Sequence, residues 1–311
     1  MQARRTDARI PICTIGFETG RISAHCARKT CDKKVSAVKS ILLPVEHHNS
    51  ANSGLAVAWQ AAQMFGSTVS AIALRPVHYQ VVGAEPIVAV TFPPSEQEDT
   101  EALAGAKARF DAFVKANSAN NDMGAKLEWP SSAPIDDNQI ASISRVYDLT
   151  VVGRPATTGD GPRMTTLEAA LFDSGRPILM APPEPKSVFG KNVVISWNQS
   201  TESARTVAFG LEMLKKADQV SVLTIEEAKV PGPNGQALCD YLNYHGIDAA
   251  ELTVPSHGRK PGIAILEEAD KLGCDLLFKG AYTQSRFRQM ILGGPTSQIL
   301  ASSAVPVFMA N

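Results

Sequence analysis

The chain contains the same pattern of residues twice, and this internal repeat constrains the fold more than any other feature. Residues 39–46 and 191–198 are apolar runs that end in a polar residue. Each run is followed by a Ser-containing loop and an Ala-rich stretch with helical spacing. The closing segments correspond as well: 148–153 with 275–280, and 176–181 with 305–310. The sequence therefore predicts two copies of one folding unit.

Strands and helices are expected to alternate within each copy. In the second copy we expect strands near 192–197, 219–225, 248–254, 274–279 and 305–310, and helices near 201–216, 233–245, 260–272 and 296–303. Alternation with continuous apolar strands indicates a parallel sheet that is covered on both faces. The predicted fold class is α/β, with two tandem Rossmann-like domains of five parallel strands each. We place these domains at 39–182 and 188–311, on either side of a Pro-rich junction.

The last strand of each copy follows a proline and is strongly apolar. An exposed edge strand of this composition would promote aggregation. Pairing of residues 178–181 with 307–310 would cover both edges and make the chain an intramolecular pseudo-dimer. Charged substitutions at Leu179 and Phe308 should then destabilise the whole chain.

Residues 1–38 differ from the rest of the chain in composition. They contain eight Lys/Arg and three Asp/Glu, so their net charge is +5, whereas the whole chain has a net charge of −1. They show no helical or strand period, and we expect a basic, disordered extension that is not part of the working protein. The three acidic residues argue against a transit peptide. A metal site at His25, Cys26 and Cys31 lacks a fourth ligand at a suitable spacing.

The overall composition argues against several classes of protein. A net charge of −1 gives no general attraction to nucleic acid or to an acidic membrane. No apolar run reaches the ~18 residues of a transmembrane helix. Five unevenly spaced cysteines do not form a disulfide framework, so we expect a cytoplasmic protein. His47 and His48 lack a third ligand nearby, and we expect them to be loop residues. The residues expected in the core include Trp59, Trp197, Cys239 and Cys274.

The most specific chemical signal lies near the C-terminus. An apolar strand ends at Gly280, a polar and basic loop follows, and Gly293 and Gly294 precede a helix-like stretch from Thr296. A strand, a glycine loop and a helix start can present backbone N–H groups to a phosphate. The same glycines are also common turn residues. The pattern alone leaves both interpretations open.

These features resemble the universal stress protein family in its tandem form, over residues 39–311. The resemblance rests on the order of strands and helices, the segment 280–296 and the closing AVPVFM. Nucleotide-binding members of the family carry G-x2-G-x9-G-[ST] after strand four and an Asp at the end of strand one. The resemblance implies a Rossmann-like fold of the adenine nucleotide alpha hydrolase type. It also implies ATP or AMP as the ligand, with Mg possible beside ATP.

The family motif matches the second copy only in part. Gly280 and Gly293 stand at its first and third glycines, whereas Thr283 replaces the second. Gly294 stands at the hydroxyl position, and Thr296 follows two residues later. Thr283 places a Cβ where a ligand would come close, so its bulk could block binding or its hydroxyl could compensate.

The resemblance also suggests residues for the remaining parts of a nucleotide. Asn198 stands in place of the strand-one Asp and can still hydrogen-bond an adenine or a ribose. The backbone near Thr224 would hold the adenosine end. Arg286 and Arg288, together with Lys279, place cations near the loop, as an anionic ligand requires. The two arginines could equally form a solvated surface.

The first copy departs further from the family pattern. Gly153 is retained, but Arg154 and Pro155 follow it, and no glycine pair precedes the next helix. Glu46 replaces the strand-one Asp and is unfavourable beside a phosphate. We expect this site not to bind nucleotide and the unit to serve packing or partner recognition. An insertion at 75–94, rich in Pro and Val, has no counterpart in the second copy.

The expected function is that of an adenine-nucleotide-binding module in the stress response, which responds to its ligand instead of acting as a fast enzyme. No set of catalytic residues stands out, and no Walker-type Lys-[Ser/Thr] loop is present. Any ATP hydrolysis would be slow and incidental. The alternative is a protein-interaction module in which both sites are degenerate. A hydrolase relative with this fold would need an acid or base near Gly293, and the sequence has none.

Overall fold

The structure is a computed structural model that describes residues 38–46, 51–82, 88–92, 94–117, 124–156, 161–282 and 294–311. All of them belong to one compact unit. The strands are β1 (Ser40–Val45), β2 (Thr68–Ala73), β3 (His78–Val82), β4 (Val88–Phe92), β5 (Lys126–Glu128), β6 (Leu149–Gly153), β7 (Ile178–Ala181), β8 (Asn192–Ser196), β9 (Gln219–Ile225), β10 (Ala250–Val254), β11 (Leu276–Gly280) and β12 (Val307–Ala310). The helices are α1 (Ala51–Phe65), α2 (Glu96–Asn117), α3 (Asp137–Ser144), α4 (Met164–Asp173), α5 (Thr201–Leu214), α6 (Gly235–Tyr244), α7 (Pro261–Lys271) and α8 (Pro295–Ser302).

Most of the described strands form one ten-stranded sheet in the order β10-β9-β8-β11-β12-β7-β6-β1-β2-β5. Neighbouring strands in this sheet are parallel, except that β7 and β12 run antiparallel. Counted outward from this central pair, the two halves of the sheet have the same strand order. The predicted α/β class with a largely parallel, Rossmann-like sheet is confirmed.

The two halves join where β7 pairs with β12, as the apolar composition of these strands predicts. Phe308 lies opposite Leu179 in the antiparallel register. Both side chains are buried, and the ring of Phe308 stacks on that of Phe278 with 4.7 Å between centroids. Gly210 of α5 lies directly over this pair, because a Cβ there would approach Phe278 to 2.0 Å. The seam is therefore a closely packed part of the core.

Helices cover both faces of the sheet. One core cluster packs α1, α2, α5 and α6 against one face, and the other packs α3, α4, α7 and α8 against the opposite face. The side chains predicted to lie in the core are buried there: Trp59, Trp197, Cys239 and Cys274. Burial raises the pKa of the Cys274 thiol to about 12, so this side chain behaves as a small apolar group.

In each half, an aspartate carboxylate accepts hydrogen bonds from backbone N–H groups at the amino end of the first strand. Asp148 Oδ2 accepts hydrogen bonds from the backbone N–H groups of Lys39 (2.8 Å) and Ser40 (3.0 Å). Asp275, 127 residues later, accepts them from Lys191 (3.0 Å) and Asn192 (3.1 Å). Asp148 precedes β6 and ties it to the start of β1, and Asp275 precedes β11 and ties it to the start of β8.

The structure differs from the sequence prediction mainly in the first half. Residues 75–94, described in the sequence only as an insertion, contain β3 and β4, which pair antiparallel as a separate two-stranded sheet. In the second half the observed strand and helix ends lie within about two residues of those expected, as helix fraying and strand ends allow. Pro261 is the first residue of α7, where its missing N–H leaves no hydrogen bond broken.

Candidate functional site

The strongest candidate site lies where the carboxyl ends of β8 and β11 meet. These strands are neighbours in the sheet, and β9 flanks β8 on its other side. The helix that follows β8, α5, packs on one face of the sheet, whereas α8, which follows β11, packs on the other. Chain connections that leave to opposite faces open a crevice at the strand ends, where α/β proteins bind ligands.

Asn198 follows β8 and helps to start α5. Its Oδ1 accepts a hydrogen bond from Ser200 Oγ at 2.8 Å. Ser200 is the N-cap of α5, and its Oγ accepts a hydrogen bond from Ser203 N at 3.2 Å. The structure therefore places Asn198 at the predicted strand end, where its side-chain oxygen orients the capping serine.

A loop between β9 and α6, residues 229–234, forms one wall of the crevice. Val230 N donates to Asn198 O at 3.0 Å, and the Trp197 ring nitrogen donates to Pro233 O at 2.9 Å. A Cβ on Gly232 would lie 2.5 Å from Gln199 O, so only glycine lets the loop pack this closely. The sequence pattern did not indicate this wall, because its residues, with Lys229 as their single charge, form no recognisable motif.

Gly280 ends β11 and contacts the first turn of α5. A Cβ at this position would lie 2.4 Å from Ser203 N and 2.7 Å from Glu202 C. These are backbone atoms of a helix and cannot easily move. Packing of the strand on the helix therefore explains this glycine without a ligand, which is a different reason from the phosphate contact suggested by the motif.

Lys279 lies inside the sheet instead of on the loop beside it. The residue is only 3% exposed, and its Nζ donates to Gly280 O at 2.6 Å. Burial lowers the pKa of Lys279 to about 8, and the negative charge of Glu202 opposes this shift. The sequence predicted a cation near this loop but did not predict that the cation would be buried.

Thr224 lies in β9, next to β8, and pairs with Thr253 of β10. The residue is 2% exposed, and its Oγ1 has no hydrogen-bond partner in the part of the chain that the structure describes. A buried hydroxyl without a partner is unusual in a folded protein. Its position on the neighbouring strand agrees with the place expected for the adenosine end, and contact with a ligand stays a prediction.

No side chain of a described residue caps the start of α8. Gly294 is its N-cap residue, and a Cβ there would meet no atom of the described residues within 4 Å. Thr296 is buried, and its Oγ1 accepts a long hydrogen bond of 3.5 Å from Tyr282 N. Among the residues that the structure describes, nothing covers the first N–H groups of this helix beside Gly294.

Tyr282 connects the end of β11 to the first half of the chain. Its ring lies 5.3 Å from that of Phe172 in α4, between centroids. Burial raises the pKa of the Tyr282 phenol to about 12, and the charge of Glu168 acts in the same direction. Its backbone φ is 54°, an uncommon value for a residue with a side chain. No pattern in the sequence indicated this contact.

Four residues named in the sequence analysis lie outside the described residues: Thr283, Arg286, Arg288 and Gly293. His47 and His48 also lie outside them. The roles suggested for these residues stay predictions.

At the corresponding edge of the first half, side chains of the protein occupy the space where a ligand would lie in the second half. A Cβ on Gly153 would lie 2.4 Å from Pro162 Cγ. Glu46 Oε1 accepts a hydrogen bond from Arg163 N at 3.4 Å, and the Arg163 guanidinium contacts Asp137 at 3.0 Å. A network of protein groups thus lies beside the strand ends here.

Neither a metal site nor a membrane-spanning helix is found within the described ranges. No group of three or more His, Cys, Asp or Glu side chains there is arranged to hold a metal ion. Among the helices of the same ranges, none combines the length and the apolar character needed to cross a membrane.

Most of the second half matches a known protein family. Residues 236–311 match the model of the universal stress protein family. The chain carries a universal stress protein domain. The match includes α6 to β12, and with them Gly280, Gly294 and Thr296 of the candidate site.

Solved structures resemble nearly the whole described fold. A universal stress protein from Archaeoglobus fulgidus DSM 4304 has a TM-score of 0.63 at 14% identity, and covers 89% of this chain and 99% of its own. A putative universal stress protein from Pseudomonas aeruginosa UCBPP-PA14 has a TM-score of 0.50 at 12% identity, and covers 88% of this chain and 94% of its own. At these identities the likeness shows the fold. No match was found among curated proteins.

Proposed function

We propose that the universal stress protein domain binds one adenine nucleotide, ATP or AMP, at the carboxyl ends of β8, β9 and β11. The observation that carries the proposal is that Asn198, the buried hydroxyl of Thr224 and the start of α8 follow or lie on the neighbouring strands β8, β9 and β11 at one edge of the sheet. A phosphate would replace the missing cap by accepting hydrogen bonds from the first N–H groups of α8, and the helix dipole favours this charge. Mg would accompany ATP.

The proposed ligand contacts follow the parts of a nucleotide. Asn198 and the backbone near Thr224 hold the adenosine end. Gly294 and Thr296 hold phosphate, and Thr283, Arg286 and Gly293 complete this end according to the family motif. The protein would act as a cytoplasmic, ligand-responsive module of the stress response, with ATP hydrolysis only slow and incidental.

The proposal includes the organisation of the chain. Residues 39–182 and 188–311 form a tandem pair of universal-stress-type domains, of which the second binds nucleotide and the first does not. The common strand order of the two halves supports the pair. The Pro162 and Arg163 contacts support the assignment of the first half as non-binding.

Gly294→Val tests this site without disturbing the fold. The residue has a φ of −82°, which any amino acid can adopt, and no atom of the described residues lies within 4 Å of the new Cβ. A valine side chain should cover the start of α8 and reduce ATP affinity by at least about tenfold. Ala301→Val, at an exposed position near the other end of the same helix, is the matched control. Equal ATP affinity in wild type and Gly294→Val, measured by calorimetry, would contradict the site.

A second candidate function, protein interaction, is favoured by an aromatic surface on α5 and α6. Phe209 is 42% exposed, Tyr241 39% and Tyr244 88%. The hairpin of β3 and β4, within the predicted partner region at 75–94, is a further candidate surface. This function predicts that nucleotides cause no thermal shift at all.

A further inference from the structure

Lys279 occupies a position at which the fold does not require a charged side chain. It is the fourth residue of β11, and the residue 127 positions earlier in the matching strand β6 is Val152. Val152 and Lys279 are both 3% exposed. The first half therefore shows that an apolar side chain satisfies this position. A lysine here costs free energy, because a buried ammonium loses its hydration.

The described residues offer this ammonium little compensation. Its hydrogen-bond acceptor is the Gly280 carbonyl oxygen. The cross-strand neighbours, Ser196 in β8 and Met309 in β12, carry no charge. Glu202 in the first turn of α5 is the described charged group whose field reaches Lys279. No described carboxylate oxygen lies within 4.0 Å of Lys279 Nζ, the limiting distance for an ion pair.

The surroundings of Lys279 favour an added anion. Gly280, whose carbonyl oxygen accepts the Lys279 hydrogen bond, contacts the backbone at the N-terminus of α5. Side chains alternate between the two faces of a strand, so Lys279 leaves the sheet on the face of α8, opposite to Phe278 and α5. The positive end of the α5 dipole and the ammonium both lie at the end of β11, on opposite faces of the sheet. An anion bound there would gain from both.

We propose that Lys279 is the internal cation of the nucleotide site, and that its ammonium binds a phosphate group and makes the site select phosphorylated adenosine over adenosine. This inference rests on the proposed function. It assigns the discrimination between ligands to one residue: the nucleoside lacks the charged group that Lys279 requires, whereas ATP and AMP supply it. A negative charge beside the ammonium stabilises its protonated form, so binding at alkaline pH takes up a proton.

The test compares Lys279→Met with wild type in calorimetric titrations of the full chain with ATP, AMP and adenosine. Methionine keeps most of the side-chain volume and removes the charge. Lys191→Met is the matched control, since Lys191 precedes β8 at the opposite end of the sheet and its side chain is 55% exposed. Lys279→Met should weaken ATP and AMP binding by about tenfold to a hundredfold, as for loss of a charged hydrogen bond, and leave adenosine binding unchanged.

The pH dependence gives a second measurement. Because the pKa of Lys279 is about 8, wild-type affinity for ATP should fall as the pH rises from 8 to 9.5, whereas the affinity of Lys279→Met should not follow this fall. If both proteins bind ATP equally, the inference is wrong and the proposed function stands. If the two proteins bind ATP equally and Lys279→Met is less stable, the lysine serves to compensate the charge of Glu202 and not to bind phosphate. If wild type binds no nucleotide, both are wrong.

Discussion

The two halves of the molecule agree at the amino ends of their strands and differ at the carboxyl ends. At the amino ends, Asp148 and Asp275 make the same backbone hydrogen bonds. At the carboxyl ends, Pro162 fills the space beside Gly153 in the first half, whereas Gly280 in the second half contacts the start of α5. The fold requirements are thus repeated, while the edge that could hold a ligand has diverged.

This comparison separates residues that serve the fold from residues that serve a site. A feature present in both halves, such as the aspartate, the closing apolar strand or the glycine at the end of the fourth strand, needs no ligand to explain it. Both α4 and α8 begin without a side-chain cap from a described residue, so this feature does not distinguish the halves. Lys279 in place of Val152 belongs to the second half alone and lacks a structural reason, and this difference carries the functional argument.

The largest expected effect comes from the seam that the two halves share. Leu179→Asp and Phe308→Asp each place an unpaired charge in the core, opposite each other in β7 and β12. Each should lower the free energy of unfolding by at least about 4 kcal/mol. Denaturant unfolding followed by circular dichroism would measure this, with Val146→Asp, at a position 79% exposed, as control. Near-wild-type stability of either seam variant would contradict the shared core.

A smaller loss of stability should distinguish the glycines that end β6 and β11, Gly153 and Gly280. The new Cβ of Gly280→Ala would meet helix backbone, whereas that of Gly153→Ala would meet the side chain of Pro162 in a loop. We expect a loss of about 2–3 kcal/mol for Gly280→Ala and about 1 kcal/mol for Gly153→Ala, since a loop side chain can shift. Equal losses in denaturant unfolding would remove the distinction between the two edges.

The smallest effect is a pH dependence of stability that only the second half should show. Burial lowers the pKa of Lys279 from 10.5 to about 8, so the unfolded chain binds more protons between these values. The stability of wild type should therefore rise relative to Lys279→Met as the pH goes from 8 to 10.5. The change should be on the order of 1–2 kcal/mol. A stability difference that stays constant over this range would show that Lys279 is not buried as a free cation.

The fold could be predicted from the sequence because several independent signals agreed. Continuous apolar runs, short loops and the repeat itself indicated parallel strands with helices between them. The pairing of residues 178–181 with 307–310 followed from two apolar strands that each needed a neighbour. The hairpin of β3 and β4 could not be derived from the repeat, because the second half has no equivalent segment.

The site was less predictable, for physical reasons. A glycine that makes room for a helix and a glycine that makes room for a phosphate look the same in sequence, and Gly280 is explained by the first. A lysine at the end of a strand is usually exposed, so the burial of Lys279 gave no signal. The Tyr282–Phe172 contact joins residues 110 positions apart and depends on the seam.

Calorimetric titration of the full chain with ATP and Mg tests the central claim most directly, because it counts sites as well as affinity. The account predicts saturable binding at about one site per chain, with a Kd tighter than about 100 μM. Two equivalent sites would show that the first half also binds and that its divergent edge has no functional meaning. The absence of binding heat at any accessible ATP concentration would show that neither half is a nucleotide site.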